Sequence, residues 1–280
     1  MLRTRIAYMP LTTYPDVVED KAIQSAIGFA ASLGCALNVK TFAVDLPRVS
    51  SGLGDYLINV PGVIQAAEER SSTECERLRV VVQEAVSSRL EAQCTTRKVP
   101  LGAVFEAAAS EARYCDLTLL PWSANAGAVP DMAEAVVFGS GRPVILVPPA
   151  ISQPGSIDHL AVAWDGSRVA ARALGDALPL LAEGGRVSVL TVEDEKPLGG
   201  SDPAGVLASW LGKRGYAATP VKISLGKRKI SEALQESALS QGSQLLAMGG
   251  FGHSRIRDFI LGGATKGVLT TLRLPVLLSH

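Results

Sequence analysis

The chain has 280 residues, a length that at about 150 residues per domain is a prior for two domains, with one large α/β domain as the other option. Its 27 basic and 27 acidic side chains cancel, and 47% of its residues are hydrophobic, enough for a large core. Disorder and a polyelectrolyte are excluded, and without a basic excess no global footprint for nucleic acid or an anionic membrane is expected. Function has to come from local sites.

The first strand is expected at Ile6 to Met9. Arg3 and Arg5 are followed by too short an apolar stretch for a signal-peptide core, because the chain soon reaches Asp16, Glu19 and Asp20. Ala22 to Val39 is uncharged, yet it carries Gln24, Ser25, Ser32 and Asn38 and is interrupted by Gly34, so it reads as an amphipathic helix running into a strand, with no membrane span. Val63 to Leu90 places Ile64, Ala67, Cys75, Leu78, Val82 and Ala85 at spacings of one long helix, with Ser71-Ser72-Thr73 as the point where it could break. Strands follow at Cys115 to Pro121 and Pro143 to Val147. Cys35, Cys75, Cys94 and Cys115 form no Cys-x-x-Cys pair, which suggests neither a disulfide framework nor a zinc site and fits a reduced, cytoplasmic location.

Pro148 to Ser156 holds three prolines and a glycine without charge or periodicity, the composition of a short stiff linker. It divides the chain into units of residues 1–149 and 157–280. The second unit shows strands near His159 to Trp164, Arg186 to Val192, Ala218 to Ile223, Gln244 to Met248 and Pro275 to Ser279. A helix is expected at Ser167 to Ala182, stopped by Gly184-Gly185. The halves repeat each other. Cys115 to Pro121 corresponds to Ser243 to Gly249, and each is followed by a helix and a strand opened by proline, Pro143 or Pro275. Strands alternating with helices argue for an α/β fold of two tandem doubly wound domains, each with a five-stranded parallel sheet.

The most informative segment is Gly249-Gly250-Phe251-Gly252-His253-Ser254-Arg255, continuing to Gly262-Gly263-Ala264-Thr265. Glycines at a strand exit let the backbone turn sharply and approach a ligand, and a glycine pair opening a helix presents free N–H donors to an anion. In an open α/β sheet this loop lies beside the end of the first strand of its unit, where Asp165-Gly166-Ser167 stands, at the topological switch point.

On these residues the chain resembles a tandem universal stress protein over nearly its whole length, with the second half a close match and the first a degenerate one. The family's nucleotide-binding members carry Gly-x2-Gly-x9-Gly-Ser/Thr, and Gly249, Gly252 and Gly262 have that spacing. The resemblance implies an ATP or other adenine-nucleotide site in the second unit: Gly249, Gly252, Gly262, Gly263 and Ala264 at the phosphates, Asp165 facing the adenine, and Val192 lining its pocket. Gly263 departs from the pattern by lacking the hydroxyl, a contact to a charged group worth about 1.5–3 kcal/mol, unless Ser254 or Thr265 substitutes. In the first unit Pro10 is aligned with Asp165, and Pro121 to Gly127 lacks the glycine motif, so no nucleotide is expected there. The resemblance also implies pairing of the two units through their last strands, further pairing of two chains, and an unidentified protein partner.

Other readings stay open. The glycines can serve turn chemistry and helix packing alone, and Asp165 with Ser167 can be a helix N-cap. Arg255 and Arg257, like Lys227 to Lys229, read as solvated faces. His159, His253 and His280 have no metal-ligand spacing, and neither a nucleophile with an oriented base, nor a Walker lysine, nor a Gly-x-Ser-x-Gly elbow is present. The expected function is a non-catalytic stress-response regulator, with an interaction protein whose nucleotide sites are vestigial, or a slow ATPase, as alternatives.

Overall fold

The computed structural model describes residues 4–47, 60–86, 90–123, 127–151, 154–193, 202–250 and 263–280. In the first half the elements are β1 (Arg5–Thr12), α1 (Asp20–Ser32), β2 (Cys35–Asp45), α2 (Val60–Ala85), β3 (Ala92–Pro100), α3 (Val104–Ala112), β4 (Leu117–Pro121), α4 (Ala128–Ser140) and β5 (Val144–Val147). The second half contains β6 (His159–Ala163), α5 (Arg168–Ala177), β7 (Arg186–Val192), α6 (Pro203–Lys213), β8 (Ala217–Ile223), α7 (Ile230–Ser240), β9 (Leu245–Gly249), α8 (Gly263–Thr270) and β10 (Val276–Ser279). Among the described residues no helix is long and apolar enough to cross a membrane.

The strands form one ten-stranded sheet in the order β3-β2-β1-β4-β5-β10-β9-β6-β7-β8. Each half therefore has the doubly wound order 3-2-1-4-5, and every pairing inside a half is parallel. The halves meet where β5 and β10 pair antiparallel, Leu146 opposite Val276 and Val144 opposite Leu278. All four residues of each strand are buried. A strand covered on both faces reads as a continuous apolar run, and an unpaired edge on it would leave dry N–H and C=O groups. Pairing two such edges satisfies both.

Side-chain alternation sends Leu160 and Val162 to one core layer and Ala161 to the other. Each layer runs unbroken from the first half into the second, so Ala7 and Leu277 share one layer, and Leu146 and Leu278 the other. The four cysteines are unpaired, three of them buried, and burial raises every thiol, that of Cys35 to about 11.

Three local outcomes refine the sequence reading. Helix α2 runs through Ser71-Ser72-Thr73 without a break. The buried Ser71 hydroxyl faces the sheet, accepting from Val44 N at 3.0 Å and lying 2.6 Å from Thr13 Oγ1, so it does not compete for its own helix's backbone. Helix α5 is shorter than Ser167 to Ala182: it gives way to a 3-10 turn at Leu178–Leu180, where Pro179 has no N–H to continue the ladder. The third outcome concerns register. Ile6 O accepts from Asp116 N and His159 O from Gln244 N, and Ala7 pairs with Leu117 as Leu160 does with Leu245. Thr12, rather than Pro10, therefore stands where Asp165 stands. Pro10 lies inside β1 opposite Lys40.

At the start of β6, His159 is buried between β6 and β7. Arg186 Nε donates to its Nδ1 at 3.0 Å, which leaves the proton on Nε2, 2.8 Å from Ser188 Oγ. Burial, then the Arg186 charge, lowers its pKa below the ordinary 6.5. The unfolded chain thus binds the proton more readily than the folded one. Stability is full above pH 6.5 and is lost as the pH falls below it towards the folded value. Denaturant titrations between pH 5 and pH 8 are expected to show this slope, and His159→Gln is expected to flatten it.

Candidate functional site

In the second half the switch point lies between β6, which leads on to β7, and β9, which leads to β10 on the other side. In open α/β sheets ligands bind outside the carboxyl ends of the strands at such a point. Past the end of β6, Gly166 adopts φ +73°, a left-handed conformation that a side chain disfavours, and the turn delivers the chain to α5. Asp165 Oδ1 accepts from Ser167 N at 2.9 Å, and Ser167 Oγ accepts from Ala170 N at 3.2 Å as the N-cap. The capping reading of this pair is thus realised by Ser167. Asp165 organises the turn while its side chain stays exposed at the switch point.

Gly249 ends β9 directly against the first turn of α5. A Cβ there would fall 2.5 Å from Val169 Cγ2, 2.8 Å from Val169 C and 2.9 Å from Ala170 N, distances no side chain tolerates. This glycine therefore has a packing role, and that packing brings the amino end of α5 to the exit of β9. Gly250 is different: it donates to Ser279 O at 2.8 Å, and a Cβ would meet nothing closer than 3.6 Å.

Val192 at the end of β7 is half-buried and packs in the same layer as Ala163 and Ala264, giving the switch point an apolar side. Gly263 opens α8, with Ala264 next and Thr265 buried in its first turn. Gly252, Ser254, Arg255, Arg257 and Gly262 lie outside the described residues. The fold thus gathers Asp165, Val192, Gly249, Gly263 and Ala264 at the carboxyl end of one sheet.

The matching exit in the first half carries bulky, buried side chains where the second half has glycine and valine. Trp122 N donates to Val147 O at 2.8 Å as Gly250 N does to Ser279 O, so Trp122 occupies the place of Gly250. Its side chain is buried, and Nε1 donates to Leu269 O in the other half at 3.1 Å. Phe42, fully buried, stands where β7 has Val192, and Ser123 Oγ donates to Glu19 Oε1 at 3.0 Å. Sequence reasoning noted the missing glycines but gave Trp122 no role. The available signal was a bulky indole next to a strand exit.

A cavity of about 440 Å³ lies at the amino ends of the strands and is lined by Asp158, His159, Glu183, Arg186 and Gln244 among others. Gln244 Oε1 accepts from Asp158 N and His159 N, so this residue serves the turn into β6. Among the described residues no three His, Cys, Asp or Glu side chains are placed to hold a metal.

Residues 156–280, the half that carries the glycine exit, match the Universal stress protein family. Over its full length the chain has the fold of a universal stress protein from Archaeoglobus fulgidus, with a TM-score of 0.70 and 18% identity, covering 97% of this chain and 95% of that one. A protein from the universal stress protein family of Burkholderia pseudomallei is 26% identical over 45% of this chain and 98% of its own, with a TM-score of 0.33. A universal stress protein solved in complex with cAMP matches 45% of this chain and 98% of its own at 20% identity and a TM-score of 0.35. No curated protein matches the chain in sequence.

The two glycines at the exit of β9 are expected to differ sharply on substitution. Gly249→Ala forces a methyl into the α5 backbone and is expected to destabilise the unliganded protein by about 1–3 kcal/mol, as overpacking does. Gly250→Ala is expected to change stability by about 0.5 kcal/mol or less, in line with its open surroundings. Urea denaturation of both variants checks the contrast.

Proposed function

We propose that this chain is a tandem universal stress protein acting as a non-catalytic stress-response regulator, with one adenine-nucleotide site, in its second half. The observation that carries the reading is the asymmetry of two equivalent strand exits. One presents Gly249-Gly250 and runs into the family-spaced glycines, while the other carries the buried Trp122 and Phe42 at the equivalent positions.

In this reading Asp165 accepts from the adenine amino group, Val192 packs on the base, and Gly249, Gly252, Gly262, Gly263 and Ala264 approach the phosphates through backbone N–H groups. The first half is a structural partner. It covers the β10 edge that the second sheet would otherwise expose, and its own exit carries Trp122 and Phe42 in the places of Gly250 and Val192. The family-model match at residues 156–280 supports the assignment of the second half, and the full-length fold likeness supports extending it to the first.

Gly263 bears on affinity. Without the family's hydroxyl at that position, binding is expected to be about ten- to a hundredfold weaker than with it, the equivalent of one hydrogen bond to a charged group. Calorimetric titration with ATP is expected to give saturable heat that Asp165→Ala and Gly252→Arg abolish and Gly263→Ser strengthens. Absence of heat and of any thermal shift at millimolar ATP would leave the chain an interaction protein with vestigial sites. Hydrolysis of bound ATP over hours, lost in the same variants, would make it a slow ATPase instead.

A further inference from the structure

The last turn of a helix leaves carbonyls without partners inside the helix, and a buried end must find donors elsewhere. Helices α4 and α8 occupy equivalent places in the two halves, and they solve this problem differently. Helix α4 ends at Gly141, which adopts φ +70°, the left-handed cap that glycine permits. Helix α8 runs into Thr271-Leu272-Arg273, with no glycine.

Its terminal carbonyls are met by side chains instead. Gln235 Nε2, from α7 in the same half, donates to Thr271 O at 2.9 Å. The other donor comes from across the seam: Trp122 Nε1 donates to Leu269 O at 3.1 Å. Trp122 is well placed to hold that position, because its own backbone N–H is tied to Val147 O in the sheet and its side chain is 9% exposed. Helix α8 is also gripped sideways, since Gly267 lies so close to α7 that a Cβ would overlap Ser231 Oγ. At the equivalent contact Gly250 faces Val137 of α4 and supplies no side-chain donor.

We infer that Trp122, contributed by the half whose own strand exit lacks the glycines, is a positioning residue for the candidate site of the other half: its indole N–H fixes the carboxyl end of α8 and thereby sets where Gly263 and Ala264 stand. What α8 does for a ligand rests on the nucleotide reading above; that Trp122 holds α8 does not. The inference gives the degenerate half a task in the site as well as in the sheet.

Three measurements on the full chain test it. In the wild-type protein the Trp122 indole proton is expected to be protected from exchange; exchange at the solvent rate would overturn the inference without any substitution. Trp122→Phe keeps most of the packing and removes the donor. Hydrogen exchange of residues 263–270 without ligand is expected to quicken about fivefold, the loss of one neutral hydrogen bond, while α3 and the strands of the first half keep their protection. ATP affinity in the same variant is expected to fall about fivefold for the same reason. Unchanged exchange in α8, or unchanged ATP affinity where the wild type binds, would overturn it. If the wild type takes up no ATP, the nucleotide reading fails, and exchange in α8 alone decides whether Trp122 holds the helix.

Discussion

Two four-residue strands with every side chain buried, Val144–Val147 and Val276–Ser279, share one antiparallel ladder, and the rest of the molecule is arranged around it. Either strand alone would present a dry, unpaired edge. Once they pair, two five-stranded sheets become one and both core layers become continuous. The pairing also brings the amino-acid neighbours of each strand exit against the other half. Trp122 reaches Leu269, the Phe138 ring meets the His280 ring edge-on with centroids 4.6 Å apart, and Arg172 donates to Gly141 O at 3.1 Å. The linker is fastened by Ser25 donating to Pro148 O and Ser32 to Pro154 O, and Arg5 donates to Pro179 O from the other side. The Arg5 and Arg172 bonds are exposed and contribute little individually, whereas those of Ser25 and Trp122 are buried. The buried ladder supplies the order, and these bonds fix its register.

Within that frame the two halves use the same backbone for different ends. The backbone bond from Trp122 to Val147 repeats the one from Gly250 to Ser279, so the exits are geometrically equivalent. Their side chains decide what each exit does. One carries a buried indole and a buried phenyl ring, while the other combines an exposed carboxylate, a half-buried valine and a glycine on which α5 docks. Gly249 illustrates why a motif glycine need not touch a ligand: its missing Cβ is required by Val169 and Ala170, and any phosphate contact is additional to that.

Much of this architecture was legible in the residues. Continuous apolar runs marked the buried parallel strands, and the boundaries at Arg186 to Val192 and Pro143 to Val147 came within a residue of those found, because Gly184-Gly185 and the prolines punctuate them. Three things were not legible. The offset between Thr12 and Asp165 depends on ladder hydrogen bonds, and apolar strands such as Ile6 to Met9 slide against one another without a compositional penalty. Whether the long helix would break at Ser71 was left open, because its sheet partners, Val44 and Thr13, are distant in sequence. Trp122 carried no motif; its meaning lies in a carbonyl 147 positions away. At the candidate site, the glycine spacing marked Gly249 and the family resemblance pointed to Asp165 and Val192; that Ser167 rather than Asp165 makes the cap, and that α5 docks on Gly249, needed coordinates.

The central claim is that two equivalent strand exits have become one site and one brace. The stoichiometry of ATP binding to the purified full-length chain, measured by equilibrium dialysis to saturation, tests it most directly. One nucleotide per chain is the predicted result; two would contradict the brace at Trp122, and none would contradict the site at Gly249.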